Sequence, residues 1–140
     1  MRIYYRDTDN RYPPSLRCLY PKYINDLSLF QCPSVGGPRM TGEFDEQRCD
    51  YGYIYYPDDS VRKVDAGRIV SVFEKGINHG MDCMCVLYTD GQVVLTLKKV
   101  LVAELHELTN NEKLSAPTRD SVRKTLAEVL AEDPVKHEPR

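Results

Sequence analysis

Apolar and polar positions divide the chain into a strand-and-loop part followed by a helical part. The most distinct pattern is a pair of apolar runs, residues 83–89 and 92–97, on either side of Asp90-Gly91. Asp-Gly between such runs favours a type I′ hairpin, because that turn requires positive φ at both central residues. Both runs are apolar on both faces, so we expect the hairpin to lie centrally in a sheet, with a helix over one side.

Two earlier segments alternate with the period of a strand. In residues 49–56, one face carries Tyr51, Tyr53 and Tyr55, and the other carries Ile54 and Tyr56. In residues 68–74, one face carries Ile69 and Phe73, and the other carries Val70 and Val72. Together with the two arms of the hairpin, these segments are the strand candidates of the chain.

The N-terminal part predicts a short apolar segment, a short helix and a long loop. Residues 1–5 are apolar and are stopped by an Asp- and Asn-rich turn. Ser15 is a suitable N-cap for a short helix through Ile24, while residues 35–48 contain two adjacent Gly, a Pro and mixed charges and are typical of a loop.

The C-terminal part has the period of two amphipathic helices. One covers residues 98–108, and the other restarts at Ser115 and ends before Asp133-Pro134. Their predicted apolar stripes are Leu101, Leu105, Leu108 and Val122, Leu126, Val129, Leu130. We therefore divide one domain into a body, residues 1–97, and a helical extension, residues 98–140.

Charge and hydropathy exclude some partners. The net charge of −2 gives no bulk attraction to nucleic acid. No apolar run approaches the roughly 18 residues of a membrane span. We therefore expect neither nucleic-acid binding nor a membrane span in this chain.

The chain has five cysteines, namely Cys18, Cys32, Cys49, Cys83 and Cys85, and they allow three interpretations. They can be buried apolar thiols. They can form disulfides in an oxidising compartment, where an odd count leaves one thiol over. They can also bind zinc together with His79, although the single residue between Cys83 and Cys85 is shorter than the usual spacing of two to four.

Other candidate chemistry is sparse. Asp58, Asp59 and Asp65 form either a calcium cluster or a solvated acidic loop. His79 lies in a predicted turn, and neither a nucleophile elbow nor a phosphate loop is present in the sequence. We expect no enzyme activity and no cofactor, with calcium as the alternative.

The order of motifs resembles the soluble part of bacterial pilin-like proteins related to the type II secretion major pseudopilin. The resemblance covers about residues 3–97 and runs through DTDNRYPPSL, LYPKYI, FQCPS, the tyrosine-rich strand, EKGINHG and VLYTDGQV. The motif residues are Pro13, Pro14, Cys32, Pro33, Asn78, His79, Gly80, Asp90 and Gly91.

The resemblance implies an α+β fold in which a truncated N-terminal helix and the short helix pack on an antiparallel sheet of three or four strands, without the family's hydrophobic N-terminal membrane helix. It implies a non-enzymatic structural subunit, or a soluble derivative of one, whose partners are other pilin-like subunits of a secretion or pilus assembly, in the periplasm or at the cell surface. One alternative is a soluble binding or regulatory module that docks a partner or dimerises through the C-terminal helices. A second is a Cys/His metal-binding protein.

Overall fold

The computed structural model describes residues 2–9, 11–64, 69–76 and 83–131. Its centre is a four-stranded antiparallel sheet whose strands lie in chain order, namely β1 (Tyr51–Tyr53), β2 (Val70–Glu74), β3 (Cys83–Tyr88) and β4 (Val93–Leu97). The helices are α1 (Arg2–Asp7), α2 (Lys98–Asn110) and α3 (Ala116–Ala131). The predicted α+β class, the antiparallel sheet and the C-terminal helical extension are confirmed.

Helices α2 and α3 cover one face of the sheet, the helix face, formed by Val70, Phe73, Met84, Val86 and Tyr88. Leu101, Leu105 and Val122 are fully buried there, as their helical spacing predicts. Leu130 is an exception to the predicted stripe, because its side chain is 57% exposed. Tyr88 also donates a hydrogen bond of 2.9 Å to Glu104 Oε2, which ties β3 to α2.

The opposite face of the sheet, the far face, carries Tyr51, Tyr53, Val72, Glu74, Cys85, Leu87, Val93 and Leu95. Its β1–β2 half is covered by residues 16–49, the N-terminal layer. The layer is held by a second buried cluster, Leu16, Leu19, Leu27, Phe30, Met40, Phe44 and Cys49. The β1–β2 half of the sheet therefore lies between α2 and α3 on one side and the N-terminal layer on the other. Among the described residues, the helices alone cover the β3–β4 half.

The N-terminal layer contains 3₁₀ turns where we expected a longer helix. These turns are Leu16–Leu19, Leu27–Phe30 and Glu46–Arg48. The prediction of a helix from Ser15 to Ile24 was wrong, because Tyr20 is extended (φ −95°, ψ 141°). A residue before proline avoids the helical region, and Pro21 therefore ends the helix after one turn.

Strand β1 is shorter than the predicted strand of residues 49–56. Ile54 N still donates to Ser71 O at 3.0 Å, but the chain then leaves the sheet. The predicted faces are nevertheless correct, since Ile54 and Tyr56 are buried in the helix-face core while Tyr51 and Tyr53 pack against the N-terminal layer.

Strand β2 departs from the predicted alternation. We expected Val70 and Val72 on one face, but Val70 packs in the helix-face core and Val72 against the N-terminal layer. The register against β3 shifts between these two residues. This β-bulge inserts one residue and reverses the side on which the preceding side chains lie.

The β3–β4 hairpin is present, but its turn is not type I′. Gly91 has φ 92°, whereas the described non-glycine residues have positive φ only at Asp9. Gly91 N donates to Tyr88 O and Tyr88 N donates to Gln92 O, both at 2.9 Å. This is the three-residue loop in which a turn is followed by a left-handed glycine, so Asp90 keeps ordinary backbone angles.

A hydroxyl network joins the start of α3 to the 3₁₀ turn Asp59–Lys63. Ser115 is the N-cap of α3, since its Oγ accepts from Thr118 N at 3.2 Å, and it donates to Asp58 Oδ2. Asp58 Oδ1 also accepts from Ser60 N at 2.8 Å. Burial alone would raise the pKa of Asp58, but the hydrogen bonds from Ser115 and Ser60 together lower it.

We expect Asp58→Asn to lower the free energy of unfolding by about 1 kcal/mol at neutral pH, because the cap network loses its charged acceptor. A carboxylate with a depressed pKa stabilises the fold above its unfolded pKa and loses this effect as the pH falls through its folded pKa. The variant should therefore lose less stability than the wild type below about pH 4. Denaturation with urea over this pH range measures the effect.

Asp59→Asn is the matched control, because Asp59 is the adjacent carboxylate and is 61% exposed. Parallel acid profiles for the wild type and Asp58→Asn would contradict the assignment of the low pKa to this network.

Candidate functional site

The β3–β4 half of the far face is the part of the sheet that the N-terminal layer leaves uncovered. Val93 is 66% exposed and Leu95 is 58% exposed. Leu29, on the adjoining rim of the N-terminal layer, is 63% exposed. We call these three residues the apolar strip. The expected central position of the hairpin was therefore wrong for β4, which is an edge strand with one exposed face.

An apolar groove of about 460 Å³ lies where the N-terminal layer meets this uncovered half. Strands β2 and β3 form its floor, and the 3₁₀ turns of the layer form its wall. The lining residues are mostly aliphatic or aromatic, namely Leu16, Leu19, Ile24, Leu29, Phe30, Cys32, Pro33, Tyr51, Val72, Glu74, Cys85, Leu87 and Val93. Glu74 is the only acidic residue among them.

Glu74 is a buried carboxylate at the end of β2, only 1% exposed. It lies opposite Tyr51 on β1, and one position beyond the pair of Phe73 with Val86 on β3. Cys85 N donates to Glu74 Oε2 at 2.6 Å. This bond from the neighbouring strand helps to offset the cost of removing a carboxylate from water.

Two thiols contact the same carboxylate. Cys32, from the N-terminal layer, and Cys85, from β3, each make a side-chain hydrogen bond to Glu74. Cys32 is also fixed through its backbone, because its N donates to Asp50 Oδ2 at 2.8 Å. Residues from three separate parts of the sequence therefore meet at one point of the groove.

The surroundings keep both thiols protonated at neutral pH. Burial raises the pKa of Cys32, and its hydrogen bond to Glu74 raises it further. Burial also raises the pKa of Cys85, followed by the negative charge of Glu74. Burial likewise raises the pKa of Tyr51 to about 12. A thiol with a raised pKa is a slow nucleophile, so these are not activated cysteines.

The other three cysteines lie apart from this cluster. Cys18 is exposed, and its Sγ lies 3.6 Å from Ser15 Oγ. Cys49 is buried, and its thiol donates to Tyr51 O at 3.4 Å. Cys83 is half-buried on β3. All five cysteines are thiols rather than disulfides.

The motif residues that carry the family resemblance lie at different places in the fold. Pro13 is buried and Pro14 is exposed. The pair Cys32-Pro33 lines the groove, and Asp90-Gly91 forms the hairpin turn. The predicted residues Asn78, His79 and Gly80 lie outside the described residues, as does Asp65 of the calcium hypothesis.

The role of Glu74 was missed in the sequence. A glutamate at the end of an apolar run resembles the polar residue that ends a strand. The available signal was its position, since period-two alternation places it on the same face as Val72, which packs against the N-terminal layer.

Metal and membrane candidates find little support in the described part of the chain. In residues 2–9, 11–64, 69–76 and 83–131, no group of three or more His, Cys, Asp or Glu side chains, the cluster of Cys32, Glu74 and Cys85 included, is arranged to hold a metal ion. Asp58 faces the cap network instead. Among the helices of those ranges, none is long and apolar enough to cross a membrane.

Neither a protein-family model, nor a curated protein, nor a solved structure matches the chain.

Proposed function

We propose that this chain is a non-enzymatic structural subunit of a pilus- or pseudopilus-like assembly, and that a second copy packs against its apolar strip. The observation that carries the proposal is the composition of the β4 edge. The strand reads VVLTL, with neither a charge nor a proline, and it exposes Val93 and Leu95. Edge strands of monomeric proteins usually carry such protective residues, because an apolar edge pairs with other chains.

The resemblance in motif order supports the same proposal. The Cys32-Pro33 motif borders the groove, and the Asp90-Gly91 motif sets the turn that leads into β4. Two of the motifs thus frame the uncovered half of the sheet. A structural subunit of this family acts through contacts with its neighbours, and it would do so in the periplasm or at the cell surface.

Sedimentation velocity over a range of protein concentrations tests the proposal with two charge variants. Leu95→Glu places a charge on the apolar strip. Leu130→Glu is the matched control, since Leu130 lies on α3 with 57% exposure against 58% for Leu95. We expect the wild type and Leu130→Glu to self-associate with increasing concentration, and Leu95→Glu to remain monomeric.

A wild type that is monomeric throughout, or association that Leu95→Glu does not weaken, would contradict the proposal. Urea denaturation of both variants should give the wild-type free energy of unfolding within about 0.5 kcal/mol, which separates lost association from lost folding.

The alternative of docking through the C-terminal helices has less exposed apolar surface to use. The stripes of α2 and α3 are buried in the chain's own core. Outside them, Val100 is 39% exposed and Leu130 is 57% exposed. Loss of association in Leu130→Glu alone would favour this alternative over the apolar strip.

A further inference from the structure

We propose that Cys32 and Cys85 are a redox-responsive pair, which a small disulfide such as oxidised glutathione converts into a Cys32–Cys85 disulfide across the floor of the groove. This proposal is independent of the self-association proposed above. It concerns a modification site inside the groove rather than the exposed strip beside it.

The placement of the two thiols is the first support. Cys32, Cys85 and Glu74 all line the groove, and both thiols bond to the Glu74 carboxylate. The backbone N–H of Cys32 donates to the Asp50 carboxylate, and that of Cys85 donates to the Glu74 carboxylate, so both cysteines are held in place.

The difference in exposure between the two thiols is the second support. Cys85 is half-buried and lines the groove, so a small disulfide reaches it. Cys32 is 2% exposed, so it is shielded from a reagent in solution. This is the arrangement of an attacking thiol and a resolving thiol.

The reaction follows in two exchange steps. Cys85 loses its proton to solvent and attacks one sulfur of oxidised glutathione. The glutathione S–S bond breaks, and one glutathione leaves and takes up a proton. Cys32 then loses its proton and attacks the Cys85 sulfur, so that the mixed disulfide breaks and a second glutathione leaves protonated. One oxidised glutathione is reduced to two thiols, and two protein thiols are oxidised to one disulfide.

The cluster also sets the rate of the first step. Glu74 from β2, Cys32 from the N-terminal layer and Tyr51 from β1 all face this site. The carboxylate disfavours a thiolate beside it, so the pair stays reduced in the absence of oxidant. We expect Glu74→Gln to react with oxidised glutathione several-fold faster than the wild type, with the pH midpoint of the reaction moved down.

The experiment uses the reduced full chain with a series of glutathione buffers of increasing oxidised fraction. Acid quenching, maleimide blocking and peptide mass mapping then locate each bond. We expect one intramolecular disulfide that links the peptides of Cys32 and Cys85. The link closes a long loop and should raise the Tm by about 10 °C.

Cys32→Ser should stop at a mixed disulfide on Cys85, while Cys83→Ser should form the link at the wild-type rate. Cys83 is the matched control, because it is half-buried two positions away on the same strand face. A stable mixed disulfide in the wild type, a link between other cysteines, or full resistance to oxidation of the folded chain would each overturn the proposal.

Discussion

Gly52→Ala is expected to lower the free energy of unfolding by about 3 kcal/mol, although alanine adds only one methyl group. Gly52 on β1 lies opposite Phe73 on β2, and the phenyl ring covers the glycine. A Cβ at this position would lie 2.3 Å from Phe73 Cζ and 2.5 Å from Cε2. The ring is 4% exposed and enclosed by the helix-face core, so it cannot move aside without displacing its neighbours.

Chemical denaturation of the single and double variants measures this effect. Gly36→Ala is the control, because a Cβ there meets no atom within 4 Å, and we expect a change of about 0.5 kcal/mol or less. Gly52→Ala combined with Phe73→Leu should be more stable than the sum of the two single losses predicts, since the smaller side chain makes room for the methyl group. Additive losses would show that the ring is not the obstacle.

Leu105→Ala is expected to cost about 3–4 kcal/mol, the second large effect. Leu105 is fully buried in α2, in the cluster that joins the sheet to α3. Truncation to alanine leaves a cavity, and the sheet and α3 on either side cannot move inward far enough to fill it. A domain of this size has a total stability of about 5–15 kcal/mol, so this single change removes a large part of it.

The control for Leu105→Ala is Glu107→Ala, two residues further along the same helix and exposed. It should change the midpoint of urea denaturation little, with the same dependence on denaturant. A loss below about 1 kcal/mol for Leu105→Ala would mean that α2 is not firmly packed on the sheet.

The helical extension and the hairpin were predictable from the sequence because each depends on local patterns. Leu101 and Leu105 follow the helical period over a stretch without glycine or proline, and Gly91 marks a turn whatever its type. The turn type itself was not predictable, because Asp90-Gly91 is compatible with two hairpin geometries that differ in which residue takes positive φ.

Features that depend on tertiary contacts were not predictable. The bulge at Val70 follows from how β2 aligns with β3, which no local pattern encodes. The cluster of Cys32, Glu74 and Cys85 joins three parts of the chain. Without the strand register, each cysteine is typical of a buried thiol, and Glu74 is typical of the polar residue that ends a strand. The edge position of β4 depends on strand order, since VVLTL suits a central strand equally well.

The two buried clusters are drawn from separate stretches of sequence. Members of the cluster under the N-terminal layer lie between Leu16 and Cys49, and members of the helix-face cluster lie between Ile54 and Val129. Residues 54–129 thus enclose a core of their own. We therefore expect the layer to open as a subglobal unit while the sheet and its helices stay assembled, so that its amides exchange with solvent hydrogen at a lower free energy of opening than those of β3.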